Sequence, residues 1–294
     1  KAALVIGRAA SQARADLRRR NAALMVGFGG YPSFAPALAA KSLGLPLLLH
    51  EQSTRMSLAN RRLLRLADGV ATSFPDVAGL EGFDQARVWQ TGNPVRQSIL
   101  DAAGAYPPLE DGAPLRLLVV GGSQSAQVFG QVVPPALLAL DARIRRRLQV
   151  WLQYRGDDAG DIAARLIVAG IEAQVRPFFD DMGERLRDAH LLIARAGATT
   201  AADLLAVGRP AIFVPIPHGG SREEQRRNAE TLAAAGVGWC IPEPGLTPEG
   251  LAGLLEELFT SPTRLPEAAR AAAALGKPDA AALLADAVER LLPG

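Results

Sequence analysis

The chain has 294 residues, 49% of them hydrophobic and 21% charged, with a formal net charge of +2; this excludes a disordered or collagen-like chain, and the length favours two cores over one. One cysteine, Cys240, excludes an internal disulfide or a multi-cysteine metal site and fits a reducing compartment. No apolar run reaches the roughly 18 residues of a membrane span, and the basic runs Arg18-Arg19-Arg20 and Arg143-Ile144-Arg145-Arg146-Arg147 have no interleaved aromatics, which argues against nucleic acid as a partner.

In chain order, residues 1–20 read as a helix where an α/β domain usually opens on a strand, so a truncated N-terminus is expected. Short apolar runs then alternate with stretches of helical length, the pattern of βα units and a parallel sheet. Strands are predicted at 23–26, 47–50, 69–72, 115–120, 149–152, 191–194 and 211–214. Residues 101–114, rich in Ala, Gly and Pro, follow neither period and read as a linker. A first domain over 1–95 and a second over 96–278 are therefore expected. Three Ala-rich helices close the chain at 247–259, 266–275 and 279–292, and the last, within 279–294, is expected to pack back on the first domain.

Two strands run into glycine turns followed by helices: Gly27-Phe28-Gly29-Gly30-Tyr31 and Gly121-Gly122-Ser123-Gln124. Glycine lets the backbone approach a ligand, and free N–H groups at a helix start favour phosphate. Such loops face the carboxyl edges of sheets, where open α/β folds hold ligands, so a phosphate-binding cleft between the domains is expected; a tight turn without a ligand would have the same sequence. A third loop, Arg195-Ala196-Gly197-Ala198-Thr199-Thr200-Ala201-Ala202-Asp203, offers N–H and O–H donors to a diphosphate and a carboxylate, Asp203, to ribose hydroxyls. The alternative is an N-cap at Thr199 with Asp203 on the surface. After the Pro/Gly-rich loop 215–220, Gln225 and Asn228 fall three residues apart on one helical face, and paired amides suit sugar hydroxyls. Arg96, in Gly92-Asn93-Pro94-Val95-Arg96 at the domain junction, is a candidate phosphate cation, or else a solvated arginine. Nothing gathers His50, His190 and His218 into a ligand set, so neither a metal nor a cofactor is expected.

Together with His50-Glu51-Gln52 and Phe178-Phe179-Asp180-Asp181-Met182, these blocks stand in an order and spacing that resembles the MurG family of N-acetylglucosaminyltransferases over nearly the whole chain. The resemblance implies an α/β GT-B fold of two Rossmann-like lobes with parallel sheets, the donor being held mainly by the second. It implies UDP-sugar contacts at Ser53, Arg96, Ser123, Phe179, Ala198, Thr199, Thr200, Ala201, Ala202, Asp203 and Gln225, with Phe179 lining the uracil pocket and Asn228 joining from the paired-amide reading. The first-lobe loop with Gly27, Gly29, Gly30 and Tyr31 looks like the family loop facing the acceptor diphosphate. Ser53, Ser125 and Asp203 depart from the family's Asn, Gly and Glu, which implies weaker donor affinity within the same donor class.

The implied reaction is inverting transfer of N-acetylglucosamine from UDP-N-acetylglucosamine to the C4 hydroxyl of the muramoyl sugar of undecaprenyl-linked lipid I. Lipid II forms, a step of peptidoglycan synthesis, at the cytoplasmic face of the bacterial cell membrane with peripheral contact. The family's opening Gly-Gly-Thr-Gly-Gly-His loop, with its proposed catalytic base, would fall before Lys1; the expectation is that this chain turns over negligibly and contains no catalytic residue of its own. Two alternatives are a UDP-N-acetylglucosamine 2-epimerase-like enzyme and a non-catalytic nucleotide-sugar-binding homologue.

Overall fold

The computed structural model describes residues 2–122, 127–219 and 222–292. They divide into two compact units, Lys1–Pro94 with Asp279–Gly294, and Val95–Pro278.

The first unit opens on α1 (Ala2–Arg19), which ends on Arg18 and Arg19, cations that complement the negative end of a helix dipole. There follow β1 (Met25–Gly27), α2 (Gly30–Ser42), β2 (Leu47–Glu51), α3 (Leu58–Leu63), β3 (Gly69–Thr72) and β4 (Val88–Gln90). The strands form one parallel sheet in the order β1-β2-β3-β4. A parallel sheet must be covered on both faces, and β2 shows how this is done. Leu47 and Leu49 pack with Ala37 and Leu63 on one side, while Leu48 and Ala71 pack with Leu284 and Ala287 on the other. The chain's last helix, Ala280–Glu289, thus belongs to the first sheet.

The second unit comprises α4 (Gln97–Ala102), β5 (Leu115–Val120), α5 (Gln127–Ala139), α6 (Ala142–Arg145), β6 (Leu148–Gln153), α7 (Ala159–Val168), β7 (Glu172–Arg176), α8 (Met182–Asp188), β8 (Leu191–Ala194), α9 (Ala198–Val207), β9 (Ala211–Phe213), α10 (Arg222–Ala234), β10 (Gly238–Cys240), α11 (Pro248–Thr260) and α12 (Arg264–Leu275). Its six parallel strands run β10-β9-β8-β5-β6-β7. Renumbered within the unit this is the order 3-2-1-4-5-6 of doubly wound nucleotide-binding sheets, with the direction of winding reversing between β5 and β8. Leu117, Val119, Val150, Leu152, Leu191 and Ile193 form the central layer, with Phe129 and Val133 of α5 and Leu251 and Leu255 of α11 against it.

The sequence pattern misses β4 and β7, and gives no range to β10, whose Cys240 lies in an apolar, strand-like stretch. Each lies at the edge of its sheet, where one side is unpaired and a continuous apolar run is not required; β7 reads Glu-Ala-Gln-Val-Arg. The first strand also begins two residues later than the predicted 23–26 and ends on Gly27.

Residues 103–114 have no regular structure but are fastened to the second unit. Arg209 is 1% exposed and donates to the carbonyls of Gly104, Ala105, Leu186, Arg187, Val207 and Gly208. Tyr106 donates its hydroxyl to the His190 carbonyl at 2.9 Å, and burial pushes that phenol well above its ordinary range. His190 Nδ1 accepts from the Arg116 N–H at 3.0 Å, so Nε2 carries the proton and donates to the Pro108 carbonyl at 3.3 Å. Burial lowers the His190 pKa to about 4, and the neutral tautomer is thereby kept.

Candidate functional site

In the second unit a pocket opens at the carboxyl ends of β5 and β8, the switch point of the sheet. On the β5 side it is walled by Val120, Gly121 and Gly122, whose φ of 73° is a left-handed value that glycine adopts without strain. Ser123 and Ser125 lie outside the described residues. On the β8 side the turn through Arg195 and Gly197 leads into α9, whose N-cap is Gly197 with no side-chain cap. The first N–H groups of α9, at Ala198, Thr199 and Thr200, are therefore not taken by a capping side chain, and all three residues line the pocket.

One turn further, Asp203 is 7% exposed and accepts a hydrogen bond from Arg96 Nη2 at 3.2 Å. Burial raises the carboxyl's pKa and the arginine opposes the rise. Arg96 stands just before α4, its side chain 60% exposed, and remains able to meet an anion. Gln225 lines the same pocket; its Oε1 accepts from the Ile216 N–H at 3.3 Å, and its Nε2 lies beside Gly197.

Arg96, Phe179, Ala198, Thr199, Thr200, Asp203 and Gln225 are thus brought together. Four expected contacts are not in that wall. Asn228 is fully buried and its Nδ2 donates to the Ala196 carbonyl at 3.2 Å, so the amide braces the β8–α9 turn from inside the protein. Ala201 is 1% exposed and faces the core, and Ala202 likewise does not line the pocket. Ser53 is in the other unit, 1% exposed, with its N–H donating to Glu51 Oε1 at 3.2 Å. Phe179 does line the pocket, but its ring is 1% exposed and offers almost no face to a ligand; the neighbouring Phe178 is 55% exposed.

Other wall residues carry no individual role in the sequence reading, Arg195 and Arg155 among them. Arg195 donates to the Val214 and Pro215 carbonyls and forms an ion pair with Glu243 at 2.5 Å, with its guanidinium over the Phe129 ring. Arg155 supplies a cation near the β6 end. A charged residue on the first step after an apolar strand was the available signal in the case of Arg195.

In the first unit, the β1–α2 turn passes through Gly29 and Gly30 at φ 79° and 72°, values a β-carbon would strain. Tyr31 is 84% and Phe28 48% exposed. Behind the turn, Glu51 accepts from the Ser57 N–H at 2.8 Å and from Asn60 Nδ2 at 2.9 Å. His50 is fully buried, its Nε2 2.9 Å from the Gly92 carbonyl and its ring 5.2 Å from that of Phe28. Burial lowers its pKa, against the Gly92 hydrogen bond, so the imidazole is neutral around neutral pH.

Comparison with known proteins covers both units. Residues 116–284 match the glycosyltransferase family 28 C-terminal domain and residues 1–72 its N-terminal domain. The UDP-N-acetylglucosamine--N-acetylmuramyl-(pentapeptide) pyrophosphoryl-undecaprenol N-acetylglucosamine transferase of Rhodospirillum centenum (strain ATCC 51521 / SW) is 46% identical over 289 residues, covering 98% of this chain and 76% of that protein. The crystal structure of Acinetobacter baumannii MurG is similar with a TM-score of 0.81 at 30% identity, over 99% of this chain and 81% of that one. A putative UDP-N-acetylglucosamine 2-epimerase from Listeria monocytogenes superposes with a TM-score of 0.69 at 16% identity, over 98% and 80%, a likeness of fold alone.

Proposed function

Because the chain belongs to glycosyltransferase family 28, we propose that it transfers N-acetylglucosamine from UDP-N-acetylglucosamine to the C4 hydroxyl of the muramoyl sugar of undecaprenyl-linked lipid I, forming lipid II for peptidoglycan. The observation that carries this is the 46% identity to a curated transferase of that activity over 98% of the chain. The pocket at the β5–β8 switch point supports it, since its chemistry suits a nucleoside diphosphate.

The acceptor's C4 oxygen attacks C1 of the donor sugar as the C1–O bond to the β-phosphate breaks, the hydroxyl proton passes to a general base or to water, and UDP departs with the electron pair. Negative charge therefore grows on the diphosphate, and fixed donors aimed at it lower the barrier. The N–H groups of Ala198 to Thr200 and the guanidinium of Arg96 supply those donors. Asp203 takes the ribose hydroxyls, held in place by Arg96 at 3.2 Å. Gln225 takes sugar hydroxyls with its free donor side. In the first unit, the Gly27, Gly29, Gly30, Tyr31 turn receives the acceptor's diphosphate.

The acceptor is lipid-linked, so the protein must meet a membrane. No helix among the described residues is long and apolar enough to cross one, and we infer peripheral docking at the cytoplasmic face. Helix α1 supports this with Val5 67% and Ile6 38% exposed and arginines at 8, 14, 18 and 19. Flotation with anionic liposomes is expected to carry the protein upward; absence from the floated fraction rejects the docking. Incubation with UDP-N-acetylglucosamine and a lipid I analogue tests the reaction. Release of UDP together with a disaccharide product supports it and overturns the expected negligible turnover, whereas failure of the lipid I analogue to bind the UDP-loaded protein refutes the acceptor assignment.

A further inference from the structure

Behind the pocket's Phe178–Phe179 end stands a side chain whose type is unusual for its burial. Arg185 of α8 is 8% exposed. Its guanidinium carbon lies 4.1 Å from the Phe179 ring centroid and 5.1 Å from that of Trp151. Nε donates to Asp181 Oδ1 at 2.7 Å and Nη2 to Gln174 Oε1 at 3.1 Å. Trp151 and Gln174 are register partners on β6 and β7. One planar cation is thereby fixed on a cross-strand pair of the sheet, and it grips both the Phe179 ring and the carboxylate two residues further on.

Desolvating a guanidinium is expensive, and an apolar side chain would fill the same space at lower cost. What arginine adds is direction: a rigid fork with several donors sets the orientation of each group it holds. Here the groups held belong to the turn 178–181, and Phe178, Phe179, Asp180 and Asp181 all line the pocket. With the Phe179 ring 1% exposed, that residue's contribution to a ligand is its main chain, whose position follows from where the ring is pinned.

We propose that Arg185 is a positioning residue for nucleobase recognition, fixing the main chain of the 178–181 turn so that it meets the edge of the base. This rests on reading the pocket as the uridine diphosphate site. Fixed main-chain N–H and C=O groups distinguish uracil from cytosine because the two bases exchange a carbonyl and a ring N–H for an amino group and a bare ring nitrogen, so a mismatch leaves polar groups unpaired.

The test is calorimetric titration of the wild type, Arg185→Met and Gln174→Leu with UDP and with CDP, each variant first checked for folding by circular dichroism. The wild type is expected to prefer UDP. Arg185→Met is expected to lose about 10-fold in UDP affinity and under about 2-fold in CDP affinity, and Gln174→Leu, which removes one acceptor, about 3-fold in UDP affinity. A role limited to stability would lower the melting temperature and leave the UDP-to-CDP ratio unchanged. A folded Arg185→Met with the wild-type ratio overturns the inference while leaving the pocket assignment intact. Should Arg185→Met not fold, an unchanged ratio in Gln174→Leu does the same. A wild type that binds neither nucleotide overturns the pocket assignment and this inference with it.

Discussion

The second unit surrounds its glycine turn with ionised groups paired at the pocket wall, Arg96 with Asp203 and Arg195 with Glu243. The first unit backs its turn with polar groups directed inward: Glu51 receives the Ser57 N–H and the Asn60 amide, Asn60 also donates to the His50 carbonyl, and His50 is bonded to the Gly92 carbonyl. Similar strand–glycine–helix sequences thus support different tasks. One wall carries paired charges at the rim of a pocket, while the other spends its polar groups holding a backbone shape.

Substitutions that act on one side of this contrast and spare the other sharpen it. The largest effect is expected from Arg209→Met, which strips six carbonyls of their donor, those of Leu186, Val207 and Gly208 in the interior. A loss of roughly 3–5 kcal/mol is expected in urea denaturation, because several interior acceptors each lose a charge-assisted donor worth about 1.5–3 kcal/mol; a loss under about 1 kcal/mol would mean that water replaces the guanidinium. Next is Arg96→Ala. Removing a charge-assisted partner costs about 1.5–3 kcal/mol, or roughly 10- to 100-fold in UDP affinity by calorimetry. Burial would then raise the Asp203 carboxyl further, because the cation opposing that rise is gone.

In the first unit, Glu51→Ala is expected to cost about 1–3 kcal/mol of stability by leaving the Ser57 N–H and Asn60 amide without their acceptor. UDP affinity should stay within about twofold of wild type. A tenfold loss of UDP binding would erase the contrast between the units.

The smallest effect near neutrality is a pH dependence. The folded pKa of His190 is about 4 against an ordinary 6.5, so its contribution is full above about pH 6.5 and is lost as pH falls toward 4. From pH 7 to pH 6 the change is on the order of 0.7 kcal/mol. Chemical denaturation of wild type and His190→Gln across that range is expected to show a shallower slope in the variant, and equal slopes would remove His190 as the source.

Central strands were legible because burial on both faces demands unbroken apolar runs, as in Leu117-Leu118-Val119-Val120 and Leu191-Leu192-Ile193-Ala194. Edge strands carry no such demand, and Glu172–Arg176 and Val88–Gln90 passed unread. Within the site, residues presenting backbone to the pocket were legible from the Gly, Ala and Thr composition of the α9 start. Side chains that work by bracing were not. Asn228 and Gln225 share a helix and an amide group, yet one is sealed against Ala196 and the other opens to the pocket, a difference set by neighbours distant in sequence. Arg185 and Arg209 carry no assignment in the sequence, because their aromatic and carbonyl partners are brought to them only by the fold.

The most direct test of the pocket is the crystal structure of this chain with UDP bound. The expected result places the diphosphate within hydrogen-bonding distance of the Ala198 to Thr200 N–H groups and the Arg96 guanidinium, with the ribose on Asp203. UDP bound elsewhere on the protein, leaving Thr199, Asp203 and Gln225 untouched, would contradict it.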